Sequence, residues 1–202
     1  ISDTLVLAER NLVRLRRAPD LLLAFTVQPI MFVLMFVYVF GGAIRTPGYD
    51  YASFLLPGIM VQNTAFGGFV TAVGINEDLK KGLIDRFRSL PMARAAVLAG
   101  RTLADVVTNG LSAVILIATG LLIGFSFHTA FATAIGGFAL LLLFGYAFSW
   151  VFAFLGMLVS TPEAANSVGF IAVFPLTFIS SAFVPVRSMP AALRAFAEVN
   201  PF

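Results

Sequence analysis

The sequence contains no cysteine and a single histidine, His128, among its 202 residues. Disulfide bonds and thiolate chemistry are therefore excluded, and a metal site built from cysteine and histidine is nearly excluded. Charged residues make up 11% of the chain, whereas soluble domains carry about 25%. Because 59% of the residues are hydrophobic, a soluble core could not bury all the apolar surface, and lipid is the expected solvent.

The apolar residues form runs that are long enough to cross a membrane. A segment that spans the membrane as a helix needs about 20 mainly apolar residues. In lipid such a segment must be helical, because each backbone polar group needs a hydrogen-bond partner within it. Five windows qualify, at residues 21–42, 52–75, 103–125, 131–159 and 164–186. The sequence therefore predicts an all-α membrane protein, a polytopic helical bundle that forms a single transmembrane domain over residues 1–202.

The basic residues beside these windows predict their orientation. Ten lysines and arginines lie in the N-terminal segment and in the loop after the second window, against three on the opposite side. We therefore expect a multi-pass protein of the cell membrane with a cytoplasmic N-terminus. The chain begins at Ile1 without a methionine, so we expect a fragment of a longer protein. A sixth span beyond Phe202 would return the chain to the cytoplasm.

Residues 1–18 have the spacing of an amphipathic helix. Leu5, Ala8, Leu12 and Leu15 fall on one face, and Pro19 should end the helix because the residue before a proline is pushed out of the helical conformation. We expect an interfacial helix whose arginines point toward lipid phosphates. The alternative is a basic flank that only sets the topology.

One charged segment, residues 76–101, separates the second and third windows and holds nine of the 23 charged residues. Within it, Leu79, Leu83, Phe87 and Leu90 recur with helical spacing, and Pro91 should stop that helix. Mixed charges beside an apolar stripe favour docking to a cytoplasmic protein. The alternative is a solvated loop whose charges only fix the topology.

Several functional groups are absent from the sequence. It has no G-x-x-x-x-G-K-[ST] motif and so no P-loop, and no Ser/His/Asp arrangement that would indicate a hydrolytic enzyme. Proton-coupled transporters need ionisable groups inside the membrane, yet the nearest candidate, Asp105, is expected close to the cytoplasmic interface. If the protein transports, the energy should come from a partner; no nucleic-acid partner is expected.

Neutral polar residues do occur inside the windows. Each can serve as an interhelical hydrogen bond worth about 1 kcal/mol, or as part of a polar lining for an amphiphilic substrate. Three successive polar residues cannot all face one neighbour, which favours the second window. The candidate substrate path comprises Gln28, Gln62, Asn63 and Thr64.

From position 76 to 94 the chain reads Asn-Glu-Asp-Leu-Lys-Lys-Gly-Leu-Ile-Asp-Arg-Phe-Arg-Ser-Leu-Pro-Met-Ala-Arg. This segment resembles the cytoplasmic signature of the type 2 ABC exporter permeases of the daunorubicin-resistance kind, in which an acidic pair is followed by a glycine, a short helix and a proline. Pro57-Gly58, residues 178–185, Met189-Pro190 and Asn200-Pro201 resemble other parts of that family. Ser181-Ala182 stands where many relatives have Ser-Gly.

The resemblance implies a six-span half-transporter, preceded by an interfacial helix, that forms a homodimer in membrane lipid and binds two copies of a separate ATP-binding subunit. ATP and magnesium would bind that subunit, and this chain would hold no cofactor and be no enzyme. Residues 76–101 would be the coupling region. The residues carried over as the coupling interface are Glu77, Asp78, Lys80, Lys81, Gly82, Asp85, Arg86, Arg88 and Pro91.

The expected function is ATP-driven efflux of hydrophobic or amphiphilic compounds, such as drugs and antibiotics, by alternating access. Export of a lipid or lipid-linked glycan by the same fold is the alternative. A proton-coupled transporter or a membrane scaffold is less expected.

Overall fold

The computed structural model describes residues 2–16, 19–41, 51–82, 95–127, 129–183, 186 and 189–202. Every regular element among them is helical, which confirms the predicted all-α bundle. The helices are α1 (Ser2–Arg16), α2 (Pro19–Met35, continued by a π-helical turn at Phe36–Phe40), α3 (Tyr51–Lys80), α4 (Ala95–Leu122), α5 (Phe131–Leu158), α6 (Pro162–Phe178) and α7 (Ala191–Val199).

Three helices in the described part of the chain have the length and apolar composition needed to cross a membrane. They span Tyr51–Lys80, Ala96–Leu122 and Phe131–Leu158 and correspond to the second, third and fourth predicted windows. A shorter apolar helix, Thr26–Val39, covers most of the first window. Large apolar side chains such as Phe131, which is 81% exposed, point away from the bundle, as expected where lipid or another subunit is the neighbour.

Helix α3 extends five residues beyond its predicted window and then stops at a glycine. Lys81 donates its backbone N–H to Glu77 O and Gly82 donates to Leu79 O, each at 3.0 Å. Gly82 has a φ of +66°, a left-handed conformation that commonly ends helices. The predicted helix through Leu79 and Leu83 is therefore interrupted at Gly82, because the chain turns there. Positions 83–94 lie outside the described residues.

The fifth window, 164–186, is also corrected. Helix α6 ends at Phe178, where the Ser180 hydroxyl donates to Thr177 O at 2.6 Å and accepts from the backbone N–H of Ala182 at 3.1 Å. These side-chain bonds let the backbone leave the helix while its polar groups stay paired. Hydropathy alone does not register such a turn, since the residues after it remain apolar.

Helix α3 lies at the centre of the bundle and packs against α2, α4, α5 and α6. Near its N-terminal end Leu55, Leu56 and Ile59 form a buried cluster with Phe183. Further along, Phe69 and neighbouring α3 residues pack on α5 and α6 in a second buried cluster.

Helix α1 packs against α4 rather than standing alone. A Cβ added at Gly100 would lie 2.7 Å from Leu7 Cβ, and Leu7 and Ala8 are buried. On the predicted apolar face Ala8 is buried against protein, whereas Leu5 is 55% exposed. The helical spacing of α1 does not reveal this protein neighbour. An interfacial location of this helix stays a prediction.

The closest approach between α3 and α5 depends on Gly156. A Cβ there would lie 2.4 Å from Ala72 O and 2.8 Å from Ala72 Cα, so the two backbones are in direct contact. We expect Gly156→Ala to separate the helices and to destabilise the protein by about 1–3 kcal/mol, seen as a lower Tm in detergent. Gly136→Ala, on the same helix with no atom within 4 Å of its Cβ, is the control. Equal Tm values for both variants would contradict this contact.

Candidate functional site

The predicted coupling residues that the structure describes sit at the end of α3 and in the turn after it. Asp78 is buried, and its carboxylate lies 3.5 Å from the Arg10 guanidinium of α1. Lys81 pairs with Glu77 at 3.3 Å, yet its side chain stays mostly exposed, as does Lys80. Asp78 therefore ties α1 to α3, whereas the two lysines face outward. The remaining predicted coupling residues, Asp85, Arg86, Arg88 and Pro91, lie outside the described residues.

The turn between α5 and α6 lies beside this end of α3. Thr161 caps α6 by accepting the backbone N–H of Ala164 at 3.1 Å. The pKa of the adjacent Glu163 lies below its ordinary value, first because its own backbone amide hydrogen-bonds the carboxylate, then because Thr161 does, with a smaller effect of the Lys80 charge. The sequence analysis did not single out Glu163; the Thr-Pro-Glu pattern of a helix N-terminus could have identified it.

A second group that the sequence analysis missed lies between α3, α4 and α5. Arg101 donates to the backbone carbonyl of Val70 at 2.7 Å, and its Nε lies 4.0 Å from an Asp105 carboxylate oxygen. The Thr71 hydroxyl donates to the other oxygen of Asp105 at 2.5 Å. Gly74 makes room for this arrangement, because a Cβ there would lie 2.4 Å from the Arg101 guanidinium.

The expectation that Asp105 lies close to the cytoplasmic interface stays a prediction, whereas the structure shows the surroundings of its side chain. Asp105 stands about 15 Å along α4 from its start at Ala95, and its side chain is only 16% exposed. A charged group with so little exposure needs partners, and Arg101, one helical turn away, is one of them. The sequence could have indicated this pair, because an arginine and an aspartate stand four residues apart at the edge of an apolar window.

A cavity of about 220 Å³ opens beside these residues, and we call it the polar cavity because seven of its thirteen lining residues are polar. Its walls come from α1, α3, α4 and α6, and they carry both charged groups and neutral amides and hydroxyls. The polar lining residues are Asn11, Glu77, Arg101, Asp105, Thr108, Asn109 and Asn166. The cavity therefore offers hydrogen-bond donors and acceptors within an otherwise apolar bundle.

A larger groove of about 450 Å³ lies between α2, α3 and α6. Its polar lining includes three of the four residues predicted for a substrate path, Gln28, Gln62 and Asn63. Phenylalanine rings form much of the rest, at Phe32, Phe66, Phe69, Phe170, Phe174 and Phe178. We call this the aromatic groove.

Thr64, the fourth predicted residue, is not in the groove. It is buried on the other side of α3, where its Cγ2 lies 2.6 Å from the position a Cβ of Gly145 would take. The aromatic groove and the polar cavity share Gly67, Phe69, Val70 and Asn166. They are therefore adjoining parts of one cleft along α3.

Comparison with known proteins gives the following relationships. Residues 2–202 match the ABC-2 type transporter family. The chain is 36% identical over 201 residues to a daunorubicin resistance ABC transporter permease of Streptomyces coeruleorubidus, covering 100% of this chain and 71% of the relative. It is 22% identical over 202 residues to a probable doxorubicin resistance ABC transporter permease of Mycobacterium tuberculosis, covering 100% of this chain and 73% of that relative. No solved structure matches the chain.

The Arg10–Asp78 pair can be tested by charge exchange. Asp78→Lys should lower the Tm in detergent, because it places a buried ammonium beside the Arg10 guanidinium. Adding Arg10→Glu should restore part of the loss, with a coupling free energy of about 1 kcal/mol. The same exchange of the more exposed Glu77 and Lys81 is the control and should show a smaller coupling. A double variant no more stable than Asp78→Lys alone would argue against the tie between α1 and α3.

Proposed function

The chain belongs to the ABC-2 type transporter family, and on that premise we propose that it exports hydrophobic or amphiphilic compounds, drugs and antibiotics among them, from the cell. It is the membrane-spanning permease subunit of an ABC exporter, and it pairs with an ATP-binding subunit. The observation that carries the proposal is the aromatic groove, which joins a polar cavity along the same helix.

The lining of the groove favours a class of substrate. Its volume of about 450 Å³ lies within the range of about 300–1,000 Å³ that is common for small-molecule sites. Phenylalanine rings offer stacking and edge contacts to ring systems, and the amides of Gln28, Gln62 and Asn63 offer hydrogen bonds. None of the described residues that line it is charged. Relatives named for daunorubicin and doxorubicin resistance support an aromatic amphiphile.

We place the coupling to ATP hydrolysis at the end of α3. The N-terminus and this end of α3 face the cytoplasm in our proposal, and ATP and magnesium bind the separate subunit. Lys80 and Lys81 point outward and contact that subunit, together with the remaining residues of the predicted interface. Asp78 passes the movement to α1. Closure of the ATP-binding subunits then favours the outward-open state over the inward-open state, because each state has its own contacts.

A second copy of the chain would close the cleft from the side that α2 and α6 leave open. Apolar side chains on both helices remain exposed there, among them Met31, Phe170 and Phe174. This supports the homodimer.

Export of a lipid or lipid-linked glycan is the second candidate. The observation that favours it is the junction of the aromatic groove with the polar cavity around Arg101 and Asp105, which suits a polar headgroup attached to an apolar chain. The alternative therefore differs in substrate and not in the mode of energy supply.

Reconstitution tests the function directly. The full-length subunit in proteoliposomes with its ATP-binding subunit should move a fluorescent planar aromatic drug when ATP is added. An ATP-binding subunit unable to hydrolyse ATP should abolish this movement. A fluorescent lipid offered in the same vesicles distinguishes the second candidate. Efflux that persists without the ATP-binding subunit, driven by a proton gradient, would overturn the proposal.

The role of the groove can be tested on its aromatic walls. The rings of Phe66 and Phe170 both line it and contact each other edge-on, with their centroids 6.2 Å apart. Phe66→Ala and Phe170→Ala should each weaken drug binding about fivefold, since an aromatic contact is worth about 1 kcal/mol. Fluorescence titration in detergent measures the Kd. Phe131→Ala removes an equally large ring outside the groove and should leave the Kd unchanged; equal effects at all three positions would count against this site.

A further inference from the structure

The side chain of Asn76 joins the cytoplasmic end of α3 to the end of α5. Its Nδ2 donates to Gly156 O at 3.1 Å and to Val159 O at 2.6 Å. Gly156 lies in the last turn of α5 and Val159 is its C-cap residue, and the last carbonyls of a helix have no partner within it. An amide 80 residues earlier in the chain thus caps α5 in place of a local residue.

The surroundings of Asn76 make this contact specific. The residue is 3% exposed, and one helical turn earlier Ala72 touches the backbone of Gly156. Within the described part of the chain, the Asn76 Oδ1 is buried and has no hydrogen-bond partner. The orientation of the amide is therefore held by its two donated bonds to α5, and sliding α3 past α5 would break both at once.

The position of Asn76 would allow this contact to transmit movement from α3 to α5. It directly precedes Glu77 and Asp78, at the start of the segment where our proposed function brings in the movement of the ATP-binding subunit. The capped helix α5 leads through a short turn into α6, whose Phe170 and Phe174 form a wall of the aromatic groove. The Asn76 side chain, which holds the ends of α3 and α5 together, thus lies between the aromatic groove and the end of α3, where the ATP-binding subunit is proposed to act.

We propose that Asn76 is a positioning residue for transport, whose amide makes α5, and through it α6, move with the coupling region. The proposal rests on the proposed function, because it assumes that ATP-driven movement enters at the end of α3. It assigns to Asn76 a role that the predicted interface, which begins at Glu77, does not contain.

The chain provides a matched control at Asn200. Its Nδ2 donates to Leu176 O at 2.6 Å and to Ile179 O at 2.7 Å, so it caps the end of α6 as Asn76 caps α5. Each amide donates two bonds to carbonyls at a helix C-terminus, and the Asn200 Oδ1 in addition accepts the backbone N–H of Phe202 at 3.1 Å. They differ in place, because Asn200 caps the end of α6 remote from the coupling region.

The test compares Asn76→Ala, Asn76→Asp and Asn200→Ala in the full-length subunit, reconstituted with its ATP-binding subunit. ATP hydrolysis and drug efflux are measured on the same vesicles, and the Tm is measured in detergent. We expect both alanine variants to lower the Tm. Only the Asn76 variants should show a severalfold fall in drug moved per ATP hydrolysed. Asn76→Asp should be at least as severe as Asn76→Ala, because a carboxylate cannot donate to the α5 carbonyls.

An Asn76→Ala protein that is less stable but keeps the wild-type ratio of drug to ATP would make Asn76 a structural cap only and would overturn the inference. An equal fall of the ratio in Asn200→Ala would overturn it too. A wild-type protein without ATP-driven efflux would instead contradict the proposed function, so the two failures are distinguishable.

A second measurement keeps the inference testable even if the Asn76 variants do not fold. These 202 residues contain no cysteine, so spin labels can be placed at Leu79→Cys and Ser160→Cys after any cysteine elsewhere in the full-length subunit is replaced. Mixing the labelled subunit with an excess of unlabelled subunit leaves one labelled copy per dimer, and the labels then report the distance between the ends of α3 and α5. We expect one narrow distance distribution that is the same without nucleotide and with ATP trapped on the partner. A distance that shifts between these states would show that the two ends move separately, contrary to the inference.

Discussion

The rest of the bundle depends on the close packing of α3 against its neighbours. In lipid, apolar side chains gain little by leaving their solvent, so packing and hydrogen bonds determine how helices associate. Small residues permit this packing: Gly156 meets the backbone of Ala72, and a Cβ at Gly58 would lie 2.2 Å from Ala182 O. Because α5 covers one side of α3 so closely, the cleft opens along another side, between α2 and α6.

Polar contacts in the C-terminal half of α3 connect the same helix to the rest of the bundle. Asp78 meets Arg10 of α1, Arg101 of α4 donates to Val70 O, and Asn76 caps α5. Each group would be costly if left unpaired in an apolar environment, so the pairing also determines the geometry. As a result, the C-terminal half of α3 is bound to three other helices, and a movement of α3 would displace the groups that it contacts on each of them.

Predictions from the sequence succeeded where one local property was sufficient. The fourth window, 131–159, agrees with α5 (Phe131–Leu158) almost to the residue, because that segment is apolar throughout and flanked by a change in composition. The second window ended early because Asn76–Lys80 are polar but remain helical. The fifth window ran too far, since the turn after Phe178 is made by hydroxyl groups inside an apolar stretch. At both of these window ends, hydropathy indicated whether the residues prefer lipid or water, but not whether their backbone is helical.

The sequence by itself determined that the chain is a helical membrane protein, that its charges collect in one segment between spans, and that it resembles ABC exporter permeases. Only the tertiary structure decided that Gln62 and Asn63 face the aromatic groove while Thr64 packs behind α3, and that Asp78 is buried while Lys80 is exposed. It also decided that Asp105 lies among partners inside the bundle. The physical reason is that composition and residue spacing are properties of residues close together in the chain. The surroundings of a side chain are formed by helices that are far away in sequence.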